Sequence, residues 1–394
     1  MSPVAAFVAV VLCITVITIV VLAGNHKHCD ACATCEACEE GNCEKCDACP
    51  EPAPAPEPER DDTCPDCPVY NCGTRPAEMN QVRKSHGLAV AHGCLYAFGG
   101  ETGASNSPFD YIGLDSVEYL DLTFGNVNAW TTTTKMSSHR HGLGSATIYD
   151  KVYAIGGMAS LGGQNTVLDT VERFDPFVTI NGVPVWTSTA KMPTPLWAHA
   201  AVGVEGATED TSKIYVLGGK TTNTGLAVNT GKVYDVGTDN WVNLPDMKQG
   251  TRYYGAAAVV DNVLYAIGGF VDGNMSGKVE SLDLTNPSAQ WIERASMIHL
   301  REGHTVAVIK GLILAIGGTN GPGPTELYDP STNTWESFVP CNERTQFSAD
   351  IVVSNKLYRT GGADNHPRNA TKNVTVHDLG FMLTVARNFF GCYD

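Results

Sequence analysis

Six times along the chain an apolar run ends in paired glycines: LYAFGG (95–100), VYAIGG (152–157), IYVLGG (214–219), LYAIGG (264–269), ILAIGG (313–318) and LYRTGG (357–362). The first glycines of the doublets lie 57, 62, 50, 49 and 44 residues apart. A repeat of this period is one supersecondary unit used again and again, and such a unit buries its apolar face only against its neighbours. Ahead of each doublet runs a short stretch of small and apolar residues, such as GLAVAHG, GAAAVVDN and TVAVIKG. Behind it comes a third stretch ending near an aspartate: VEYLD (117–121), VERFD (171–175), KVYDV (232–236), VESLD (279–283), TELYD (325–329) and VTVHD (374–378). A tryptophan follows in five units, as Trp130, Trp186, Trp241, Trp291 and Trp335. Each unit therefore reads as four short strands with turns between them. The second strand is apolar throughout instead of alternating, which calls for cover on both of its faces. The Ala/Gly-rich first strand suits a crowded axis, and the paired glycines permit a sharp turn at positive φ.

With these units in register, residues 69–394 resemble the kelch-repeat β-propeller family, in period and in the Gly-Gly, Tyr and Trp positions. The resemblance implies an all-β fold, a six-bladed kelch-type β-propeller. The sixth unit departs from the pattern, because only LGFMLTVARNFFGCYD follows His377-Asp378, with no tryptophan. Either this tail supplies the outer strand or Val69–Met79 closes the ring from the other end. Closure of one blade by both termini is expected, with Cys72 and Cys392 as a candidate bridging disulfide.

Two further regions precede the repeats. Val4–Ala23 carries no charge over twenty residues, and a helix of that length spans about 30 Å, the hydrocarbon thickness of a bilayer. Residues 1–24 thus read as a transmembrane anchor. The competing reading is a signal peptide cleaved after Val21-Leu22-Ala23, although the stretch is long for one and lacks a basic leader. Residues 25–68 form an acidic stalk. It holds Cys29, Cys32, Cys35, Cys38, Cys43, Cys46, Cys49, Cys64 and Cys67 in C-x-x-C steps, with proline at every second position from Pro50 to Pro58. Such a proline run is an extended, semi-rigid spacer. Three readings of the cysteines stay open: disulfides, metal ligation by paired C-x-x-C elements, and free thiols. Lys27 alone would favour a cytoplasmic body by the positive-inside rule. The sequons at Asn274, Asn369 and Asn373 and the clustered cysteines favour the other side. The expectation is a single-pass membrane glycoprotein with its propeller lumenal or external.

The formal net charge of −16 argues against nucleic acid as a partner. H-E-x-x-H, G-x-S-x-G, P-loop and dinucleotide motifs are all missing, so no cofactor and no catalysis are expected. His139 and His141 make no metal site without a third ligand. What repeats in every blade builds the blade; a ligand is read by residues that differ between blades on a shared face. Sixteen residues before the first glycine of a doublet stand Arg83, Arg140, Arg252 and Arg301, with Arg344 seventeen before Gly361; His86, His141, Tyr254, His304 and Gln346 lie close by. One offset in successive blades maps to one ring at the channel mouth, a face that in the kelch family resembles the peptide-binding surface of adaptor proteins. Guanidinium groups there either bind a carboxylated protein or glycan ligand or brace their own loops against acids such as Glu118 and Glu172. The favoured function is a binding module. The alternative is a carbohydrate-active enzyme, similar to the six-bladed sialic-acid epimerase or to the seven-bladed galactose-oxidase type, whose Tyr–Cys pair finds no evident counterpart at Cys94 or Cys341.

Overall fold

The computed structural model describes residues 76–103, 112–123, 129–161, 164–318, 325–338, 345–363 and 369–379. All belong to the second of the chain's two compact units, Cys67–Asp394. The apolar stretch at 4–23, the cysteine segment, Cys72, Cys392, Arg344 and the tail from 380 lie outside the described residues. Among the described residues no helix is long and apolar enough to cross a membrane.

Strands dominate, and apart from a short 3₁₀ turn at Glu209–Thr211 the named elements are all β. Blade 1 is the antiparallel sheet Gly87–Ala91, Cys94–Phe98, Val117–Asp121 and Trp130–Thr133, paired in that order. Blade 2 repeats it with Gly144–Ile148, Lys151–Ile155, Val171–Ile180 and Val183–Ser188; blade 3 with Ala200–Val204, Lys213–Leu217, Gly231–Asp235 and Asn240–Asn243. Blade 4 is Ala256–Val260, Val263–Ile267, Val279–Asp283 and Ile292–Arg294, and blade 5 is Thr305–Ile309, Leu312–Ile316, Thr325–Asp329 and Thr334–Phe338. Blade 6 has three described strands, Ala349–Val353, Lys356–Thr360 and Val374–Asp378. The innermost strands neighbour one another from blade 1 round to blade 6 and back to blade 1, which closes the propeller.

The local signals explain the blades. In five of them the first two strands are joined by two residues that both have positive φ: His92-Gly93, Tyr149-Asp150, Asp261-Asn262, Lys310-Gly311 and Ser354-Asn355. That is the hairpin turn whose twist matches the strands. Blade 3 replaces it with the longer excursion 205–212. The doublet glycines all sit at φ between 53° and 98°. A Cβ on Gly99 would lie 2.6 Å from the carbonyl oxygen of Arg140, so close approach as well as φ demands glycine.

Burial between blades explains the apolar second strands. Leu95 and Ala97 pack into the cluster shared with blade 6, while Tyr96 and Phe98 face blade 2. In blade 3, Ile214 and Val216 face blade 2 while Tyr215 and Leu217 face blade 4. The last four side chains of each second strand are thus buried, one face per neighbour. Each tryptophan is tied across the seam as well. The indole N–H groups of Trp130, Trp186, Trp241, Trp291 and Trp335 donate to the carbonyls of Ala77, Thr134, Ala190, Pro245 and Ala295 at 2.8–3.1 Å.

These carbonyls stand two residues before Met79, Met136, Met192, Met247 and Met297, whose N–H groups bond to Lys372, Asp115, Asp169, Asn229 and Gly277 at 2.8–3.0 Å. Met79 therefore meets blade 6 just as Met136 meets blade 1. Blade 6 is approached by the chain's N-terminal side in the way every other blade is left by its own outer strand. The tail's share in closure and the Cys72–Cys392 pair fall outside the described residues.

Candidate functional site

Each blade leads to the next by a loop that crosses from its outer strand to the neighbour's innermost strand. One hydrogen bond puts the six loops in register. The second glycine of each doublet donates to one loop carbonyl: Gly100 to Arg140, Gly157 to Leu196, Gly219 to Arg252, Gly269 to Arg301, Gly318 to Thr345 and Gly362 to Arg83, at 2.7–3.1 Å.

The arginines expected at the channel mouth do occupy this position, but they turn away from the channel into the following blade. Arg83 donates to the Gly99 carbonyl at 2.7 Å and to Glu118 Oε1 at 2.7 Å. Arg140 reaches the Gly156 carbonyl at 3.0 Å and Glu172; Arg252 reaches the Lys278 carbonyl at 3.0 Å and Glu280 at 3.3 Å. Arg301 reaches the Gly317 carbonyl and Glu326, both at 2.8 Å. No side chain of the four pairs is more than 3% exposed. The same glutamates accept from loop N–H groups of Asn80, Ser137, Lys248 and Ile298 at 2.6–2.8 Å. Meanwhile the arginine N–H groups bond backward, to Thr371, Leu114, Val228 and Ser276. Each of these four loops is fastened to both sheets it joins, and none of the four guanidinium groups is left for a carboxylate arriving through the channel. Burial pulls Arg83, Arg140 and Arg252 below the ordinary guanidinium value, and the facing glutamates oppose that shift.

Blades without the arginine lack its glutamate too. Leu196 goes with Lys232, and Thr345 with Thr375, each at the second residue of the third strand. The offset of sixteen from Gly361 falls on Thr345; Arg344, expected in the ring, stands one residue before it. In blade 6 an Arg359–Asp350 pair at 3.0 Å lies between the first two strands instead.

The other candidates fall at three depths. The residues directly after the arginine position are Lys84, His141, Trp197, Tyr253, Glu302 and Gln346, on the rim. Next come Ser85, Gly142, Ala198, Tyr254, Gly303 and Phe347, whose backbones close a ring. Gly142 donates to Ser85, Ala198 to Gly142, Tyr254 to Ala198, Gly303 to Tyr254, Phe347 to Gly303 and Ser85 to Phe347, at 2.7–3.0 Å. All six sit at φ between 51° and 59°. Deeper still, His86, His199 and His304 alternate with Leu143, Gly255 and Ser348 at the head of a channel of about 350 Å³ whose walls include Ser145, Ala257 and Asp350. Burial holds His199 near 4 and His304 near 3, and it depresses His86 as well. His86 bonds Thr360 Oγ1 at 2.8 Å, and the ring nitrogens of His304 have no partner among the described residues. Among those residues no three metal-ligating side chains lie together.

On the rim over blades 1 and 2, Lys84 Nζ lies 3.8 Å from Glu101 Oε1, and Glu101 Oε2 lies 3.7 Å from His141 Nδ1. His141 Nε2 meets Ser160 Oγ at 2.9 Å. These are the residue types of a nucleophilic triad, but the arrangement is not one. The Ser160 hydroxyl already donates to Asn165 Oδ1 at 2.6 Å and is buried. Burial pushes the Glu101 carboxyl up to about 7 and His141 down to about 4, so the imidazole is a poor base. Over blades 3, 4 and 6 the rim carries aromatic rings. Trp197 and Tyr254 are 5.8 Å apart edge to face, Tyr254 and Phe347 5.1 Å, Tyr253 and Tyr254 5.6 Å, and Tyr253 stacks on Phe270 at 4.9 Å. Reading by offset missed Leu196, Trp197 and His199, because the 205–212 excursion lengthens blade 3 and shifts the count. Aligning the loops on their own Trp-to-Met spacing of six residues recovers all three.

Residues 139–176, 251–298 and 300–342 match the Kelch motif. The chain is 29% identical over 226 residues to Alpha-scruin of Limulus polyphemus, covering 52% of this chain and 24% of that one. It is 30% identical over 162 residues to Kelch-like protein 35 of Homo sapiens, covering 40% and 27%. The chain thus spans about a quarter of the length of these relatives. The solved structure titled Structure of YjhT superposes with a TM-score of 0.60 over 76% of this chain and 99% of that one at 15% identity, a likeness of fold.

Two outcomes follow from this geometry. Arg252→Leu alone leaves Glu280 buried and unpaired, at a cost of about 3–5 kcal/mol. Adding Glu280→Lys, which copies the Leu196/Lys232 combination, restores at least half of that in urea unfolding; equal midpoints for the single and double variants would refute the pairing. The second concerns pH. His141, His199 and His304 bind protons near 6.5 when unfolded but only near 3 to 4 when folded, so stability falls as pH drops below about 6.5. Glu101 acts in the opposite sense between about 4.5 and 7, one group against three. The urea midpoint therefore falls between pH 6.5 and 4.5, and His199→Leu with His304→Leu, the residue found at 143, flattens that fall.

Proposed function

The chain is a kelch-repeat protein, and from that premise we propose that its propeller is a protein-interaction module whose docking surface is the face where the six crossing loops meet. The observation that carries this reading is the aromatic rim. At the arginine position four of the six blades are alike, whereas one and two residues later they diverge, and blades 3, 4 and 6 place Trp197, Tyr253, Tyr254, Phe270 and Phe347 together. Leu226 and Leu300, next in sequence to Ala227 and Arg301 of the same loops, are 85% and 50% exposed. Aromatic anchors within a polar rim are the usual composition of an interface centre. The matches to kelch-repeat relatives support a protein partner.

The module works, in this reading, on a membrane surface. Val4–Ala23 anchors it, the stalk at 25–68 holds it off the bilayer, and the propeller stands on the lumenal or external side. Asn274, Asn369 and Asn373 are all exposed, which glycosylation at these sequons requires.

Tyr254→Ala with Phe347→Ala, which strips the rim but keeps a residue type already tolerated at Ala198, should weaken binding of a partner recovered with the full chain at least tenfold. The thermal midpoint should move by only a few degrees, and Ile292→Ser on the outer strand of blade 4 should bind as the parent does. Unchanged affinity in the double variant places the docking surface elsewhere. For orientation, the full chain from a secretory host should lose apparent mass on treatment with a peptide N-glycanase, and Asn369→Gln with Asn373→Gln should remove part of that loss. A chain with no glycan, whose tagged propeller is shielded from protease only in intact cells, would reverse the assignment.

A further inference from the structure

Blade 2 differs from the others in its third strand. Val171–Ile180 runs for ten residues, whereas the third strands of the other five blades have five. Its register with the second strand ends at Phe174, so residues 175–185 continue past the sheet as a two-stranded ribbon. At about 3.3 Å per residue the ribbon reaches roughly 15 Å beyond the sheet. It leaves the propeller at the end of the strands opposite the crossing loops. Ile180 pairs with Val183 across Asn181-Gly182, which sit at φ 53° and 78°, the tight turn of a rigid hairpin. A Cβ on Gly182 would meet nothing within 4 Å. Residues 176–178 face no partner where the register shifts, a bulge that bends the ribbon.

The surface of this ribbon is apolar. Phe177, Val178, Ile180 and Val183 are 74%, 46%, 64% and 53% exposed. Every residue from 177 to 183 is exposed, and neighbours along a strand point to opposite faces, so both faces are bare. No charge occurs from Pro176 to Ala190, in a chain of net charge −16. Carboxylates begin at the base of the ribbon. There Asp150 and Asp175 lie 3.8 and 4.0 Å from the ring nitrogens of His92, whose ring meets Phe177 edge-on at 4.3 Å.

We propose that this ribbon is a membrane-contacting finger: Phe177, Val178, Ile180 and Val183 enter the interfacial region of a zwitterionic lipid bilayer, and the carboxylates at the base stay in water. Exposure of both faces selects lipid. A protein surface laid against one face leaves the other wet, whereas lipid closes round a ribbon on every side. Area argues against a second copy of the chain, since the four side chains offer on the order of 350 Å², below the roughly 800 Å² per partner of a stable pair. Charge selects the headgroup, because an uncharged tip gains nothing from anionic lipid and the acids at its base are repelled by it. Pro176 and Pro184 carry no N–H, so the ribbon takes fewer unmet donors into the interface. The contact depends neither on the docking face at the crossing loops nor on the anchor at 4–23.

The experiment incorporates the full chain into phosphatidylcholine vesicles and mixes them with protein-free vesicles, all with a photoreactive diazirine in the acyl chains. Tryptic peptides are mapped after illumination. Cleavage after Arg173 and Lys191 isolates the ribbon in one peptide, 174–191. That peptide should take up lipid label, and Phe177→Ser with Ile180→Ser should cut the label at least fivefold with a thermal midpoint within a few degrees of the parent. Val242→Ser, at an exposed apolar position on the outer strand of blade 3, should label as the parent does. Raising salt from 50 to 500 mM should leave the label unchanged, as an apolar contact requires. Should the double variant fail to fold, Val183→Ser, expected to lower the label by about half, decides alone. Label at 174–191 without label at 4–23 supports the finger and removes the anchor. An unlabelled 174–191, or equal label in parent and double variant, overturns the finger. Label that requires phosphatidylserine overturns the zwitterionic contact. A concentration-dependent dimer of the parent, lost in the double variant and without lipid label, overturns it as well and assigns the ribbon to a second copy.

Discussion

A ring of separate sheets holds together only if each sheet is fastened to the next, and here the crossing loop does the fastening. Its arginine N–H is bonded to the sheet behind, its carbonyl receives the glycine of that same sheet, and its guanidinium is buried in the sheet ahead. The glutamate that meets the guanidinium also holds the loop's own N–H groups. The hydrophobic seams supply most of the burial, at about 25 cal/mol per Å², but an apolar contact has no direction. Direction comes from these polar contacts, which fix how far each blade is rotated against its neighbour. A buried pair of this kind adds little net stability beyond an apolar substitute; its value lies in the single geometry it permits. The seam-crossing indole bonds repeat that constraint at the outer edge of the propeller.

The same fastening leaves the rim free to vary. Because the arginine position and the glycine carbonyl bond set each loop's path, the next residue is held at the channel mouth whatever its identity, and all but Tyr253 are buried there. It is Lys84 in one loop and Trp197, Tyr253, Glu302 or Gln346 in others. The loops therefore present polar residues beside aromatic ones on one common frame of blades. The solved structure that superposes at 15% identity shows how little of the frame depends on particular side chains.

Much of the frame was legible from residues alone because its signals are local and repeated. Gly-Gly, a fully apolar second strand and a tryptophan at constant spacing each follow from one physical demand, and six copies correct one another. The site was less legible. A fixed offset located four arginines, but it carried no information on which way a long side chain turns. The deciding partners, Glu118, Glu172, Glu280 and Glu326, lie 25 to 35 residues further on. Their absence in step with the arginine, at Lys232 and Thr375, was the sequence sign that the two belong together. Lys84, Glu101 and His141 come from three separate loops, and only the folded chain brings them together. Lys220 carries no signal in the sequence; only the fold sets the Trp197 and Tyr253 rings beside its ammonium.

The six peptide groups at the mouth all point the same way round, each N–H toward the carbonyl of the loop before it. Dipoles arranged head to tail in a closed circle polarise one another and cancel as a vector sum. Unlike a helix end, which presents a pole of like-directed groups, this rosette has no pole, and it spends on itself one N–H and one C=O from each of the six loops. The mouth is electrically mute along the channel axis, so the sign of whatever settles on that face is decided by side chains alone.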